Sequence, residues 1–166
     1  MEKCKNDNKP LWLVLLDNFP TLIMFILGAV IISEMSGLGA ILYLFYSLLS
    51  IVWFWAKICP YCHYYDTFAC PCGYGKISSK FFKKKNDKPF KKVFNQNIGV
   101  VFPNWFVPII IALYQLLHLY THNMLILTII FCLIGFVIIP VISKRVGCKN
   151  CAVKENCPWM QKTLNK

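Results

Sequence analysis

Acidic residues are scarce in this chain of 166 residues, in which seven Asp and Glu stand against 18 Lys and Arg. Charged residues of both signs make up only 15% of the chain. So few carboxylates leave little for acid–base catalysis by paired Asp or Glu. A Ser-His-Asp set and a phosphate-binding glycine loop are also absent from the sequence, so no hydrolase or nucleotide-binding motif is available. The sequence therefore predicts no particular catalytic reaction.

Long apolar blocks dominate what is present, because hydrophobic residues make up 57% of the chain. A helix needs about 20 apolar residues, with about 17 near the lower limit, to cross the hydrocarbon core of a bilayer. Four blocks approach or reach that length. The sequence therefore predicts a single all-α integral membrane domain over residues 1–166, with spans at about 19–35, 37–56, 104–121 and 124–142.

The first block contains polar residues whose placement decides where the first span begins. The run Leu11–Leu16 is expected to form a separate interfacial turn of helix. Asp17 or Asn18 is then expected to cap the first span, with Pro20 in its first turn, where a missing N–H costs nothing. The alternative places Asp17 inside the hydrocarbon, where a carboxylate is costly and usually functional.

Basic residues indicate the orientation of the spans. All 18 Lys and Arg lie in three segments, 1–10, 57–92 and 143–166. Lys and Arg in short flanks stay on the cytoplasmic side of inserted helices. We therefore expect a protein of the cell membrane with two antiparallel hairpins and both termini cytoplasmic. A cysteine-rich basic loop, 57–103, and a cysteine-rich tail, 143–166, then face the cytoplasm.

Residues 80–92 form a lysine segment interleaved with aromatic side chains. Its lysines are Lys80, Lys83, Lys84, Lys85, Lys88, Lys91 and Lys92. Beside a membrane span, such a segment is attracted to anionic lipid headgroups, at about 1 kcal/mol per Lys near the surface. An acidic redox protein and a membrane partner subunit are the alternative partners, and nucleic acid is not expected.

Seven of the nine cysteines fall into two compact groups, each directly after the cytoplasmic end of a predicted span. They are Cys59, Cys62, Cys70 and Cys72 in the loop, and Cys148, Cys151 and Cys157 in the tail. In a reducing compartment such spacing indicates metal binding or thiol chemistry rather than disulfides. A C-x-x-C turn brings two thiolates to one metal, and a second pair completes its coordination. Cys4 or His63 is the candidate for an extra ligand.

An iron–sulfur cluster is the first candidate for the bound group. Proline directly follows Cys59, Cys70 and Cys157, and iron–sulfur loops use Cys-Pro steps such as the one in the bacterial ferredoxin run. The C-x2-C-x5-C spacing from Cys148 to Cys157 resembles part of the auxiliary-cluster motif of SPASM-type radical enzymes. Gly73 and Gly75 are both expected to allow a tight turn after Cys72 and to expose backbone amides near it.

Zinc and thiol redox chemistry remain as alternatives. Zinc favours paired C-x-x-C knuckles, from which the spacing of Cys70 and Cys72 departs. Cys59-Pro-Tyr-Cys62 resembles the active-site motif of glutaredoxins, which implies dithiol exchange. The four-helix plan with cysteine pairs is similar to the disulfide-generating quinone oxidoreductases and the vitamin K epoxide reductase group. Those enzymes work on the oxidising side of the membrane, whereas basic residues place these cysteines inside.

Three residues outside the clusters are also candidates for function. Cys132 lies within the fourth span, where packing explains it. His118 and His122 are expected to share one helical face, as interfacial residues beside Tyr114 and Tyr120. Together these features predict a membrane-anchored metal or iron–sulfur protein that transfers electrons at the cytoplasmic face. A zinc-stapled scaffold without catalysis and a thiol–disulfide oxidoreductase using Cys59 and Cys62 are the alternatives.

Overall fold

The computed structural model of the protein describes residues 10–148, and the side chains of residues 10–145. These residues are mostly helical and contain no β-strand. The α-helices are α1 (Leu11–Ser33), α2 (Gly37–Lys57), α3 (Tyr74–Phe81), α4 (Phe90–Asn97), α5 (Phe102–His118), α6 (His122–Leu133) and α7 (Ile139–Ile142). Short 3₁₀ segments cover Cys59–Tyr61 and Ile98–Val101, and π-helical turns cover Ile134–Ile138 and Ser143–Cys148.

Four stretches of helix are long and apolar enough to cross a membrane. They run over Leu11–Ser33, Gly37–Tyr61, Phe90–His118 and His122–Arg145. Large apolar side chains along them are exposed, including Ile110 at 63% and Leu117 at 85%. Such side chains suit lipid rather than water. Over the described residues, the structure thus confirms the predicted all-α class and four helices long and apolar enough to span a membrane.

The prediction for the start of the first helix was wrong. Helix α1 begins at Leu11 and continues through Asp17, Asn18 and Pro20 to Ser33. Asn18 does not cap a helix start, because its side-chain amide donates to the Val14 carbonyl one turn earlier, at 2.7 Å. The apolar run before Asp17 therefore forms the first turns of the same helix, and Asp17 lies within the candidate span.

The chain forms two compact units. The helical unit consists of Phe19–Ser50 and Val100–Val141. The cysteine unit consists of the described parts of Met1–Asn18, Ile51–Gly99 and Ile142–Lys166. Helix α1 thus contributes its first turns to the cysteine unit and its remainder to the helical unit.

The core of the helical unit is built on a close approach between α1 and α2. Ala29 and Ile32 pack against Ala40 and Tyr43. A Cβ atom added to Gly28 would lie 2.5 Å from the Tyr43 hydroxyl, so the tyrosine fits only because this position lacks a side chain.

Tyr43 also compensates for a proline in the third span. Pro108 lies inside α5 and has no N–H to donate to the carbonyl of Asn104, four residues earlier. The Tyr43 hydroxyl donates to that carbonyl instead, at 2.8 Å. A second tyrosine on the same helix, Tyr46, donates to the Val100 carbonyl at 2.7 Å. The Tyr43 bond thus satisfies a backbone acceptor that the proline leaves without its helical donor.

The side chain of Asn104 is fully buried and belongs to a polar network with α2. Its amide nitrogen donates to Ser50 Oγ at 2.9 Å, and its amide oxygen lies 3.0 Å from Ser47 Oγ. The Ser50 hydroxyl donates to the Ser47 carbonyl at 2.7 Å. Each polar group of this network has a partner, which is the condition for tolerating it inside a helical bundle.

Candidate metal site

The first cysteine group lies in the cysteine unit, directly after α2. A 3₁₀ turn over Cys59–Tyr61 reverses the chain, with Pro60 at its start and the Cys62 N–H donating to the Cys59 carbonyl at 3.0 Å. Cys59 and Cys70 are buried, whereas Cys62 and Cys72 are half-buried. Among the described residues, none of the four forms a disulfide.

The second half of this group is a tight Cys-Pro-Cys-Gly turn. The Sγ atoms of Cys70 and Cys72 are 4.0 Å apart. Gly73 follows in the left-handed conformation, at φ 73°, and α3 begins directly after it. Only glycine adopts this conformation without strain. As expected from the sequence, the turn exposes amides, and the Gly75 N–H donates to Cys70 Sγ at 3.4 Å.

Gly75 is required for a second reason. A Cβ atom at this position would collide with the carbonyl oxygen of Tyr64 and would reach Cys70 Cβ at 3.4 Å. The bare Cα atom therefore lets α3 approach the 62–66 loop closely enough for its amide to reach Cys70. The Asp66 N–H in turn donates to the Gly75 carbonyl at 3.2 Å.

Hydrogen bonds make one thiol of this turn acidic. Hydrogen bonding to Cys72 lowers the pKa of Cys70 to about 6, and the amides of Gly75, Cys72 and Gly73 act in the same direction against the effect of burial. The pKa of Cys72 is raised, because its hydrogen bond to Cys70 and its burial both favour the neutral thiol. These contacts therefore favour the thiolate at Cys70 over the thiolate at Cys72, and the thiolate is the form that binds metals.

The first turns of α1 form one wall of the site. The Asn18 amide donates to the Cys72 carbonyl at 3.1 Å, and a Cβ atom at Gly73 would lie 2.9 Å from Val14 Cγ1. Asp17 shares this face of the helix, since residues three and four apart are neighbours on a helix surface. The Ser143 hydroxyl lies 3.4 Å from the Asp17 carboxylate. This wall was not predicted from the sequence, in which Asp17 and Asn18 have the residue types of a helix cap.

Helices α2 and α3 form a second wall. The Ser78 hydroxyl donates at 2.7 Å to the carbonyl of Trp55, in the last turn of α2. The rings of Trp55 and Tyr74 meet edge to face, with their centroids 5.9 Å apart. The pKa of Tyr74 is raised, mainly because the ring is buried and also because the cysteine thiols are nearby. Among the described residues, the Trp55 indole nitrogen is a buried donor without a partner. A bound group or water beside it would complete its hydrogen bonding.

The donor set fits a metal in part. Two thiolates on one tetrahedral zinc ion, with Zn–S bonds of about 2.3 Å, are about 3.8 Å apart. The 4.0 Å between Cys70 and Cys72 is close to that separation. Within residues 10–145, however, no three His, Cys, Asp or Glu side chains stand close enough together to hold an ion. Binding through all four thiolates therefore requires Cys59 and Cys62 to move towards the pair.

Several predicted site residues lie outside the described residues. Cys4, Cys151 and Cys157 are among them, and of Cys148 only the backbone is described, at the end of a π-helical turn. The structure consequently leaves the second group as a prediction. His63 is exposed, with its ring against Tyr64 at 6.0 Å.

The two other histidines and Cys132 lie in the helical unit. Helix α5 ends at His118 and α6 begins at His122, so the two histidines do not share a helical face as predicted. Both are exposed, and their rings contact Tyr114 at 4.4 Å and Tyr120 at 5.7 Å. Cys132 is half-buried in α6.

The described residues thus combine four helices that are long and apolar enough to cross a membrane with a loop of four cysteines beside the first turns of α1. Searches of protein-family models, of curated proteins and of solved structures find no match to this chain.

Proposed function

We propose that this protein binds a metal through thiolates on the cytoplasmic face of the cell membrane and serves electron transfer there. The ligands would be Cys59, Cys62, Cys70 and Cys72, with Cys148, Cys151 and Cys157 forming a second set. The observation that carries the metal-binding part of the proposal is the Cys70–Cys72 turn, in which two sulfurs lie 4.0 Å apart and a backbone amide donates to one of them. Amides directed at sulfur stabilise thiolates and tune the potential of a bound cluster.

The orientation is part of this proposal. The four spans would form two antiparallel hairpins, α1 with α2 and α5 with α6, with both termini in the cytoplasm. Its support is the confinement of Lys and Arg to the tails and the long loop, because the short connections between paired helices contain none. All cysteine clusters then face a reducing compartment, where thiols stay available for metal.

An iron–sulfur cluster is the first candidate for the bound group. The Cys-Pro steps after Cys59, Cys70 and Cys157 favour it. When bound, the cluster would supply one-electron redox chemistry, and an acidic redox protein or a membrane partner subunit would exchange electrons with it. The chain's own residues would hold the cluster and shield it, with Tyr74 and Trp55 covering one side.

Zinc is the second candidate, and the close approach of Cys70 and Cys72 favours it. Their separation of 4.0 Å matches two ligands on a single ion, whereas each iron of a cubane cluster takes one protein thiolate. A zinc ion would fasten the loop between α2 and α3 and add folding free energy to it. In that case the protein would be a scaffold or interaction subunit without catalysis.

Metal analysis on anaerobically purified protein tests the proposal. Iron, sulfide and zinc are measured per chain together with the visible absorption spectrum, for wild type, Cys70→Ser and Cys132→Ser. Matched iron and sulfide with a brown colour support the cluster, and stoichiometric zinc without colour supports the scaffold. The Cys70 variant should lose the metal, and the Cys132 variant should keep it. A metal-free wild type would overturn both candidates and leave dithiol chemistry.

A further inference from the structure

Helix α3 exposes apolar side chains at its end, next to the lysine segment. Phe81 is 71% exposed, and Ile77, one turn earlier on the same face, is 37% exposed. The opposite face is covered, because Gly75 is buried beside Tyr64 and Cys70, and Ser78 is buried beside the Trp55 carbonyl at the end of α2. Ile77 and Phe81 are four residues apart and therefore form one exposed apolar patch, which is available to contact a surface outside the cysteine unit.

Hydrogen bonds hold the backbone of the lysine segment that follows in place. The Tyr65 hydroxyl donates to the Phe82 carbonyl at 2.6 Å, and the Lys85 N–H donates to the Pro60 carbonyl at 3.1 Å. All seven lysines of the segment are exposed. Its one carboxylate, Asp87, hydrogen-bonds to the Tyr61 hydroxyl. A dense positive charge thus stands beside Phe81 on a fixed backbone.

We propose that this surface, the exposed face of α3 with the lysine segment, docks on the anionic phospholipid headgroups of the bilayer that the protein spans. Charge complementarity and chain continuity favour lipid over other anions. The candidate span Phe90–His118 begins within the segment, so every lysine of the segment lies in the span's first turn or within ten residues before it. Phe81 and Ile77 add an apolar anchor that suits an interface and has no use on a nucleic acid backbone. Docking would hold the cysteine loop at the membrane surface, whatever the loop binds.

Hydrogen exchange on full-length protein in nanodiscs tests this surface. Exchange of residues 77–92 is compared between pure phosphatidylcholine and phosphatidylcholine with about a third phosphatidylserine, at low salt and at 1 M salt, where the screening length falls to about 3 Å. We expect slower exchange in the anionic discs, lost at high salt. The triple variant Lys83→Gln, Lys84→Gln, Lys85→Gln should weaken docking roughly a hundredfold, since each lysine contributes about fivefold.

Two further variants separate charge and anchor from folding defects. Replacing the same three lysines by Arg keeps the charge and should keep the protection. Phe81→Ser should reduce the protection without altering exchange in neutral discs. Equal exchange in the two lipids would overturn the proposal, as would protection by an added acidic protein or oligonucleotide in neutral discs that exceeds protection by anionic lipid. Metal content, measured on the same samples, reports on the cysteine site separately.

Discussion

The hydroxyl of Tyr43 gives the sharpest test of how the helical unit is held together. Tyr43→Phe removes the donor to the Asn104 carbonyl, and Pro108 leaves that carbonyl without its helical N–H. A buried acceptor without a partner costs about 1–3 kcal/mol in water-soluble proteins. Interhelical bonds in a membrane average about 0.6 kcal/mol, with a maximum near 1.7. Because the acceptor here has no helical donor, we expect a loss of about 1–2 kcal/mol.

Restoring the missing N–H should abolish most of that loss. In a Pro108→Ala background, the alanine N–H can donate to the Asn104 carbonyl, so Tyr43→Phe should cost about 1 kcal/mol less than in wild type. The free energies come from reversible unfolding in mixed micelles, for all four members of the cycle. Equal costs of Tyr43→Phe in the two backgrounds would refute the idea that the tyrosine compensates for the proline.

Two further predictions concern the cysteine unit. Gly75→Ala should displace α3 from the loop and lower metal content severalfold, because its Cβ atom would collide with the Tyr64 carbonyl; Gly99→Ala, with open space around it, should not. Asn18→Ala should speed hydrogen exchange around Cys72 about five- to tenfold, because it removes the hydrogen bond to the Cys72 carbonyl. A hydrogen bond of this kind contributes about 1 kcal/mol. Asn97→Ala is its control, because the Asn97 amide donates in the same way to the carbonyl four residues earlier, within α4. If Gly99→Ala lowered metal content as much as Gly75→Ala, the role of Gly75 would be contradicted. If Asn97→Ala sped exchange around Cys72 as much as Asn18→Ala, the role of Asn18 would be contradicted.

The number of spans could be predicted because it depends on composition over about 20 residues, and long apolar blocks have few alternatives to crossing a bilayer. The start of α1 could not be predicted from the sequence. Asp17, Asn18 and Pro20 are a strong local signal for a helix start, but the apolar turns before them continue the helix once the cysteine loop packs on Val14 and Asn18. Contacts with the cysteine loop thus favour a helix that begins at Leu11 over one that begins at Asp17, and these contacts cannot be predicted from the local sequence.

The cysteine loop could be predicted only as a set of ligand types. Spacing identified Cys70 and Cys72 as a pair and Gly73 and Gly75 as turn residues that expose amides, as found. The walls made by α1 and by Trp55 with Tyr74 could not be predicted, because they depend on how separate helices pack. The histidine pair shows the same limit, since a turn at Leu119–Thr121 separates two residues that a continuous helix would align.

X-ray absorption at the edge of the bound metal tests the central claim most directly, because it reports which atoms touch the metal. Thiolate ligation through the loop predicts a sulfur shell at about 2.3 Å in the wild-type protein. The sulfur count should fall in Cys72→Ser and stay unchanged in Cys132→Ser. A shell of nitrogen and oxygen alone, or a sulfur shell that does not respond to Cys72→Ser, would contradict a metal site at the Cys70–Cys72 turn.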